Sequence, residues 1–167
     1  MKQTKFPGIY KRGKNLYTVN LIPGTSVYSE RLVKDDGDEY REWDPQKSKL
    51  AAAIKKKLNQ IGLEKNHNVL YLGASTGTTV SHVSDIVGKE GFVFAVEIAP
   101  RVTRNLVFLA QKRKNIAPIM ADASKPNTYF HRIKRADFLY QDIAQKNQAE
   151  IFLRNVELLK NGSFGIL

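Results

Sequence analysis

Val69-Leu70-Tyr71-Leu72-Gly73-Ala74-Ser75-Thr76-Gly77-Thr78-Thr79 is an apolar run of strand length that breaks into small residues and then enters a helix-like stretch reaching residue 87. A short, nearly continuous apolar run suits a strand covered on both faces. The small residues after it let the backbone approach a ligand closely, and the helix they open presents free N–H groups to polar or anionic atoms. Gly73 and Gly77 are four apart, so this is not the dinucleotide pattern G-x-G-x-x-G, and no G-K-[ST] follows to make a phosphate loop. Taken alone, such a turn is as readily structural as functional.

Downstream the same texture repeats. Phe92–Val96, Ile116–Met120, Phe138–Tyr140 and Ser163–Leu167 are further short apolar runs, separated by helix-like stretches at 101–113 and 147–160. The alternation predicts an α/β fold with a parallel sheet covered by helices, whose ligands bind beyond the carboxyl ends of the strands. Upstream, Leu16–Leu21 and Ser26–Leu32 alternate apolar and polar residues about a Pro23-Gly24 turn, and Asp35-Asp36-Gly37-Asp38 supplies a polar turn. Residues 1–40 are therefore expected to form a small antiparallel β domain, and 41–167 the α/β domain. Asp44-Pro45 reads as a helix start, with Asp as cap and Pro in the first turn, continued from Leu50 to Leu58.

Lys and Arg number 27 against 16 Asp and Glu, a net charge of +11 in 167 residues. Such a chain is drawn to polyanions, with RNA or DNA the natural partners, although a merely solvated basic surface gives the same composition. The excess divides almost evenly between residues 1–66 and 67–167, so charge alone locates no binding face. There is no cysteine, which excludes disulfides and thiolate ligands, and the three histidines are too scattered for a metal cluster. No signal or membrane-spanning segment is visible, and a cytoplasmic protein is expected.

The strand ends carry acids. The second strand ends in Glu97, 24 residues after Gly73 and near the offset at which an acid grips the ribose hydroxyls of a nucleoside cofactor. Ile98 beside it is suited to packing on a ring face. The third ends in Asp122-Ala123, where a carboxylate can accept from an exocyclic amine, and the fourth in Asp142-Ile143-Ala144-Gln145. Each acid alone could be a cap or loop residue, but a small-residue loop followed by three acids at consecutive strand ends describes a nucleoside pocket.

These residues closely resemble archaeal-type fibrillarin. The resemblance runs through Tyr40-Arg41-Glu42-Trp43-Asp44-Pro45, Ser48-Lys49-Leu50-Ala51-Ala52-Ala53, the run from Val69 to Thr79, Ser81-His82-Val83-Ser84-Asp85, Val96-Glu97, Pro100-Arg101, Asp122-Ala123 and Asp142-Ile143-Ala144-Gln145, nearly the whole chain. It implies a Rossmann-like methyltransferase fold dependent on S-adenosylmethionine (SAM), and guide-directed 2′-O-methylation of ribose in pre-rRNA and tRNA. It places Gly73 and Ala74 at the methionine part of SAM with Thr78 and Thr79 beside it, Glu97 at the ribose, Ile98 at the adenine face, and Asp122 and Ala123 at the adenine edge. Asp142 and Gln145 fall near the sulfonium. Asp142 is expected to take or orient the 2′-hydroxyl proton, and Lys49 to steady charge on the ribose oxygen. The implied partners are a box C/D guide RNA, the target rRNA or tRNA, a Nop-domain scaffold protein and a kink-turn-binding ribosomal-type protein. The amino-terminal β unit is expected to help dock the scaffold. The family's sheet has two strands and a further lysine beyond the position of Leu167. The expectation is thus a chain that stops after its fifth strand with an apolar strand at the sheet edge, its activity an open point.

Other residues take plainer readings. His82 is expected to pack or hydrogen-bond rather than catalyse, and Trp43 to anchor the junction of the two parts. Arg101 and Arg104 share a helix face and, with Lys112-Arg113-Lys114, are candidates for RNA phosphate contacts or simply a solvated face. Lys55-Lys56-Lys57 reads as the wet side of a helix. The competing function is a basic RNA- or protein-binding module on the same scaffold without catalysis. A dehydrogenase is disfavoured by the glycine spacing, and a base methyltransferase by the absence of an Asn-Pro-Pro-Tyr-like tetrad after the fourth strand.

Overall fold

The computed structural model describes residues 1–167 as two five-stranded sheets. The first is antiparallel and contains β1 (Lys2–Gln3), β2 (Ile9–Arg12), β3 (Asn15–Val19), β4 (Leu32–Asp35) and β5 (Asp38–Trp43) in the order β1-β2-β3-β5-β4. The β4–β5 turn is Asp36-Gly37 with φ of +49° and +84°, as a two-residue type I′ hairpin requires. Strand β5 carries this sheet past residue 40 to Trp43. The stretch from Ser26 to Arg31 is irregular and not a strand. Its Val27 and Tyr28 amides donate to the Glu30 carboxylate instead of to a neighbouring strand.

Helix α1 (Lys49–Lys55) begins later than the Asp44-Pro45 signal implies. Asp44 uses its carboxylate locally, accepting from the Gln46 amide at 2.8 Å, while Ser48 is the cap and accepts from the Ala51 amide. Both residues are good caps, and the one whose following residues bury Leu50, Ala51 and Ile54 sets the helix.

The second sheet is parallel: β6 (Asn68–Leu72), β7 (Phe92–Glu97), β8 (Ile116–Met120), β9 (Ala136–Gln141) and β10 (Leu159–Ile166), in the order β10-β9-β6-β7-β8. Helices α2 (Thr78–Val87), α3 (Pro100–Lys112) and α4 (Gln148–Val156) make the crossovers, with two short 3₁₀ turns before β9. The last helix is shorter than the sequence pattern suggests, and β10 starts earlier, with a register shift between Leu159 and Phe164 around Gly162 (φ +78°). From β6 the chain winds outward to β7 and β8, then returns to place β9 on the other side of β6. The connections leaving β6 and β9 thus diverge, and a crevice opens beyond their carboxyl ends. No helix is long and apolar enough to cross a membrane.

Period-two alternation along β6 serves two cores. Val69 and Tyr71 join one buried cluster, Leu70 and Leu72 another. The first cluster also contains Phe6, Ile9, Leu16 and Trp43 of the amino-terminal part together with Val80 and Val83 of α2, so the first sheet and the α/β part bury their apolar faces against each other.

Polar groups are buried at that junction too. Asp85 of α2 accepts from Arg41 Nη1 of β5 at 2.8 Å and from Arg113 Nη1 at 2.5 Å, and Arg41 also donates to Glu30 at 2.5 Å, all with almost no exposed side-chain surface. Two guanidinium groups and two carboxylates thus balance, which a buried charge requires. Burial alone would raise the Glu30 pKa, but the Tyr28 amide, Arg41 and the Val27 amide outweigh it and hold the carboxyl below its ordinary value. Arg113, one of the arginines considered for phosphate contact, is 1% exposed and unavailable to RNA. His82 is fully buried, stacks on Trp43 with ring centroids 5.0 Å apart, and has both ring nitrogens bonded, Nδ1 to Thr18 Oγ1 and Nε2 to the Tyr28 hydroxyl. With Thr18 donating to Asp85, the neutral ring donates from Nδ1 to Thr18 and accepts Tyr28 at Nε2.

Burial, reinforced by Arg41 and Arg113, holds the His82 pKa well below its ordinary 6.5. Above pH 6.5 the ring is neutral both folded and unfolded. Below it only the unfolded chain takes up the proton, so stability is lost as pH falls toward the folded pKa. Urea unfolding is expected to give a level free energy from pH 8 to 7, then a decline approaching about 1.4 kcal/mol per pH unit between about 6.5 and 5.5. A level profile across that window would mean that the folded ring accepts the proton.

Candidate active site

The loop after β6 is shaped by one close approach. Gly73 has φ of +80°, and a Cβ there would lie 2.1 Å from the Asp142 carbonyl oxygen, so only glycine lets the ends of β6 and β9 meet. The Gly73 and Ala74 amides both donate to the Val96 carbonyl at 3.0 Å, tying the loop to β7. At the other end of the loop Gly77 (φ +95°) caps α2 where a Cβ would strike Leu109 of α3.

Between these strand ends lies a cleft of about 410 Å³ lined by Gly73, Ser75, Glu97, Ile98, Asp142 and Gln145, with Val96, Ala121, Ala123, Ile143 and Ala144 completing its walls. Its volume and mostly apolar walls with a few polar groups suit a small-molecule site. The Glu97 carboxylate is fixed by two backbone amides, Ser75 to Oε2 at 2.8 Å and Ala99 to Oε1 at 3.0 Å. Each oxygen keeps a lone pair for a hydroxyl donor, and a phosphate would be repelled. Ile98 is 55% exposed, an apolar side chain at a strand end with nothing of its own chain covering it. Asp122 accepts from the Ser124 amide at 2.9 Å, and Ser124 holds its carboxyl below the ordinary range. Gln145 Nε2 reaches it at 3.5 Å.

Asp142 stands at the mouth. Its amide donates to the Leu72 carbonyl at 2.9 Å, which pins it to β6, and its carboxylate meets the Lys49 ammonium from the first turn of α1. Lys49 is 78% exposed at the side chain, so this pair contributes less than about 1 kcal/mol to stability. Either partner can therefore exchange it for a substrate contact at little cost.

The structure thus brings together Gly73, Glu97, Ile98, Ala123, Asp142, Gln145 and Lys49, with Asp122 at the edge. Four expected cofactor residues fall outside the lining: Asp122, which touches it only through Gln145, and Ala74, Thr78 and Thr79. Ala74 is buried beneath the loop. Thr78 lines a separate cavity facing α3 and the loop around Val27. Thr79 is buried on the far side of the helix start, donating to the Ser48 hydroxyl at 3.0 Å. The first turn of a helix spreads successive side chains around its axis, and from this loop only Gly73 and Ser75 line the cleft. Arg101 and Arg104 are exposed on α3, and Arg104 lies over the Phe108 ring at 5.6 Å, so part of that face serves local packing. Five lining residues, Ser75, Val96, Ala121, Ile143 and Ala144, were not among those expected from the sequence. Ser75 is signalled only by its positive φ of +51°, which turns its amide toward Glu97. No group of three or more His, Cys, Asp or Glu converges as a metal site would need.

A parallel sheet with this order, a glycine turn at its switch point and an acid on the neighbouring strand define a Rossmann-like nucleoside-cofactor protein, and solved SAM-dependent methyltransferases share the fold, one from Aquifex aeolicus with a TM-score of 0.52 at 19% identity. The chain belongs to the fibrillarin family, whose model matches residues 1–167. It is 56% identical over 160 residues to a fibrillarin-like rRNA/tRNA 2′-O-methyltransferase of Methanosarcina barkeri, covering 95% of this chain and 70% of that one. The crystal structure of Aeropyrum pernix fibrillarin with natively bound SAM superposes with a TM-score of 0.88 at 45% identity, over 90% of this chain and 66% of that one. A fibrillarin/Nop5p complex matches with a TM-score of 0.82 at 43% identity, over 93% and 70%. The chain thus spans between 66% and 70% of the length of these three proteins.

Two glycine substitutions separate backbone strain from close approach. Gly13 (φ +61°) has open space around its Cβ position, so Gly13→Ala should lose only the conformational penalty, about 1–2 kcal/mol in urea unfolding. Gly73→Ala should lose a further 1–3 kcal/mol or so from overpacking against Asp142. Equal losses would show that the β9 loop yields freely.

Proposed function

We propose that this chain binds SAM in the Glu97 cleft and transfers its methyl group to a ribose 2′-hydroxyl of rRNA or tRNA. The observation that carries the reading is that Asp142, which lines the same cleft as Glu97 and Ile98, meets the exposed Lys49 ammonium. An acceptor oxygen placed between that pair lies at the open end of the site, where a macromolecular substrate can reach.

The residues present fit the cofactor. Glu97 would accept the two ribose hydroxyls, Ile98 and Ala123 would flank the adenine, and Asp122 would accept from its amine. Gly73 and Ser75, which line the cleft where the ends of β6 and β9 meet, would border the methionine part. When bound, SAM supplies an electrophilic methyl whose bond to sulfur breaks as the new carbon–oxygen bond forms. Asp142 orients the 2′-hydroxyl and takes its proton, so that no charged alkoxide need develop fully. Lys49, released from Asp142 as the carboxylate is neutralised, steadies the negative charge that does develop on the oxygen. Alignment of the acceptor with the methyl would supply a large share of the rate, since orientation can contribute on the order of 7–11 kcal/mol at best.

Nothing in the cleft reads a base sequence, which favours a target chosen by other molecules. The reading therefore includes a box C/D guide RNA that selects the nucleotide by pairing, a Nop-domain scaffold that holds the catalytic subunit, and a kink-turn-binding protein in the same particle.

Asp142→Asn keeps the shape of the side chain and removes its basicity. Single-turnover methylation with labelled SAM, guide RNA and partner proteins should slow by about 10²–10⁴-fold, while calorimetry shows SAM affinity within about threefold of the parent. A normal rate would remove Asp142 from the proton transfer, and a parent chain that failed to bind SAM would overturn the cofactor assignment itself.

A further inference from the structure

A second surface lies at the other end of α1. A groove of about 700 Å³ runs between the carboxyl end of that helix and the β1–β2–β3 edge, and its walls carry Lys2, Lys5, Lys11, Lys14, Lys55 and Lys57 with no acidic residue among its lining. All six lysines are exposed, and none is paired with a carboxylate. Lys2 and Lys11 are directly opposite one another in the β1–β2 register, an arrangement of like charges that weakens a sheet. The fold carries this repulsion without an internal counter-charge.

We infer that this lysine groove holds the phosphate backbone of the RNA whose ribose enters the Asp142 cleft, an assignment that rests on the function proposed above. Two observations favour RNA over an acidic protein. The floor residues Phe6, Leu16 and Ile54 are themselves buried, so the groove offers no apolar anchor of the kind that carries most protein–protein interfaces. Its cations are lysines, which neutralise phosphates as point charges and read no base, as suits a substrate specified elsewhere. The placement also fits. Lys49 and Lys55 are the first and last residues of α1, about 9 Å apart along its axis. A nucleic-acid strand covers that distance in about two to three nucleotides. The two lysines also lie about 120° apart around the helix, so a strand held in the groove would curve around α1 to present a nearby ribose at Asp142. Of the triple lysine at 55–57, Lys55 and Lys57 thus line a binding surface, while Lys56 lies outside it.

The test compares two quadruple variants of the full chain. K11A/K14A/K55A/K57A removes the groove charges, and K65A/K89A/K125A/K134A removes the same number of exposed lysines outside it. The probe is a fluorescein-labelled 20-nucleotide RNA of arbitrary sequence, followed by anisotropy from 50 to 200 mM salt. The groove variant is expected to bind at least tenfold more weakly, with the slope of log affinity against log salt shallower by about 3. The control variant should lose less than about threefold. Equal losses in the two variants, or unchanged RNA binding by the groove variant, overturn the proposal. Unchanged RNA binding together with lost binding to a purified Nop-domain protein would reassign the groove to a protein partner. SAM titration of the same samples keeps the two readings apart. The groove variant should bind SAM as the parent does, and a parent that binds RNA through the groove but not SAM would defeat the proposed chemistry alone.

Discussion

One carboxylate, Asp85, holds the two halves of the molecule in register. It takes charge-assisted hydrogen bonds from Arg41 of the first sheet and Arg113 at the end of α3, and it also accepts from the Thr18 hydroxyl and the Leu21 amide. A buried pair of this kind adds little net stability over an apolar replacement, but losing one partner strands the others at a cost of about 3–5 kcal/mol. What the arrangement supplies is position. Asp85, His82 and Ser81 all lie on α2, and each is bonded to the first sheet or to Arg113. The helix is thereby fixed in rotation as well as location. Its amino end is the Gly73–Gly77 loop, so the cleft inherits its geometry from contacts on the helix's opposite flank.

Strong interactions are kept away from the reacting atoms and weak ones left beside them. The groups that define the cleft are pinned by backbone bonds: Glu97 by two amides, Asp142 by its own amide to Leu72, the loop by the Val96 carbonyl. The one side-chain bond at the mouth, between Lys49 and Asp142, is solvent-exposed and cheap to exchange. Fixed supports with a loosely paired acid and base let a substrate enter without disturbing the frame that orients it.

The parts legible in the sequence were those governed by periodicity and local backbone demand. The β6 run, its glycine turn and the acids at the ends of β7, β8 and β9 were found because a buried parallel strand leaves few alternatives and because its ligand end is set by topology. The errors came where two local solutions compete. Asp44-Pro45 is as good a helix start as Ser48, and only the burial of Leu50, Ala51 and Ile54 decides between them. Ser26–Leu32 alternates like a strand, yet Glu30 turns inward to Arg41, a long-range pairing that no window of sequence contains. Thr78 and Thr79 lie at the expected place along the chain, and the rotation of about 100° per residue in a first turn directs one side chain into a neighbouring cavity and the other to Ser48. Arg113 sits in a basic run that looks solvated, and its burial follows from Asp85, 28 residues earlier.

The same distinction bears on how a chain with so little base-reading equipment can act at defined nucleotides. Its basic charge is spread evenly over the sequence, but folding gathers part of it into one acid-free groove at the far end of the helix that carries Lys49. Phosphate contacts of that type position a strand without choosing it. Under the proposed function, a cleft that takes the cofactor and a groove that holds the backbone would leave the choice of nucleotide to whatever presents the ribose. The short helix between them would then set how far along the strand that ribose must lie.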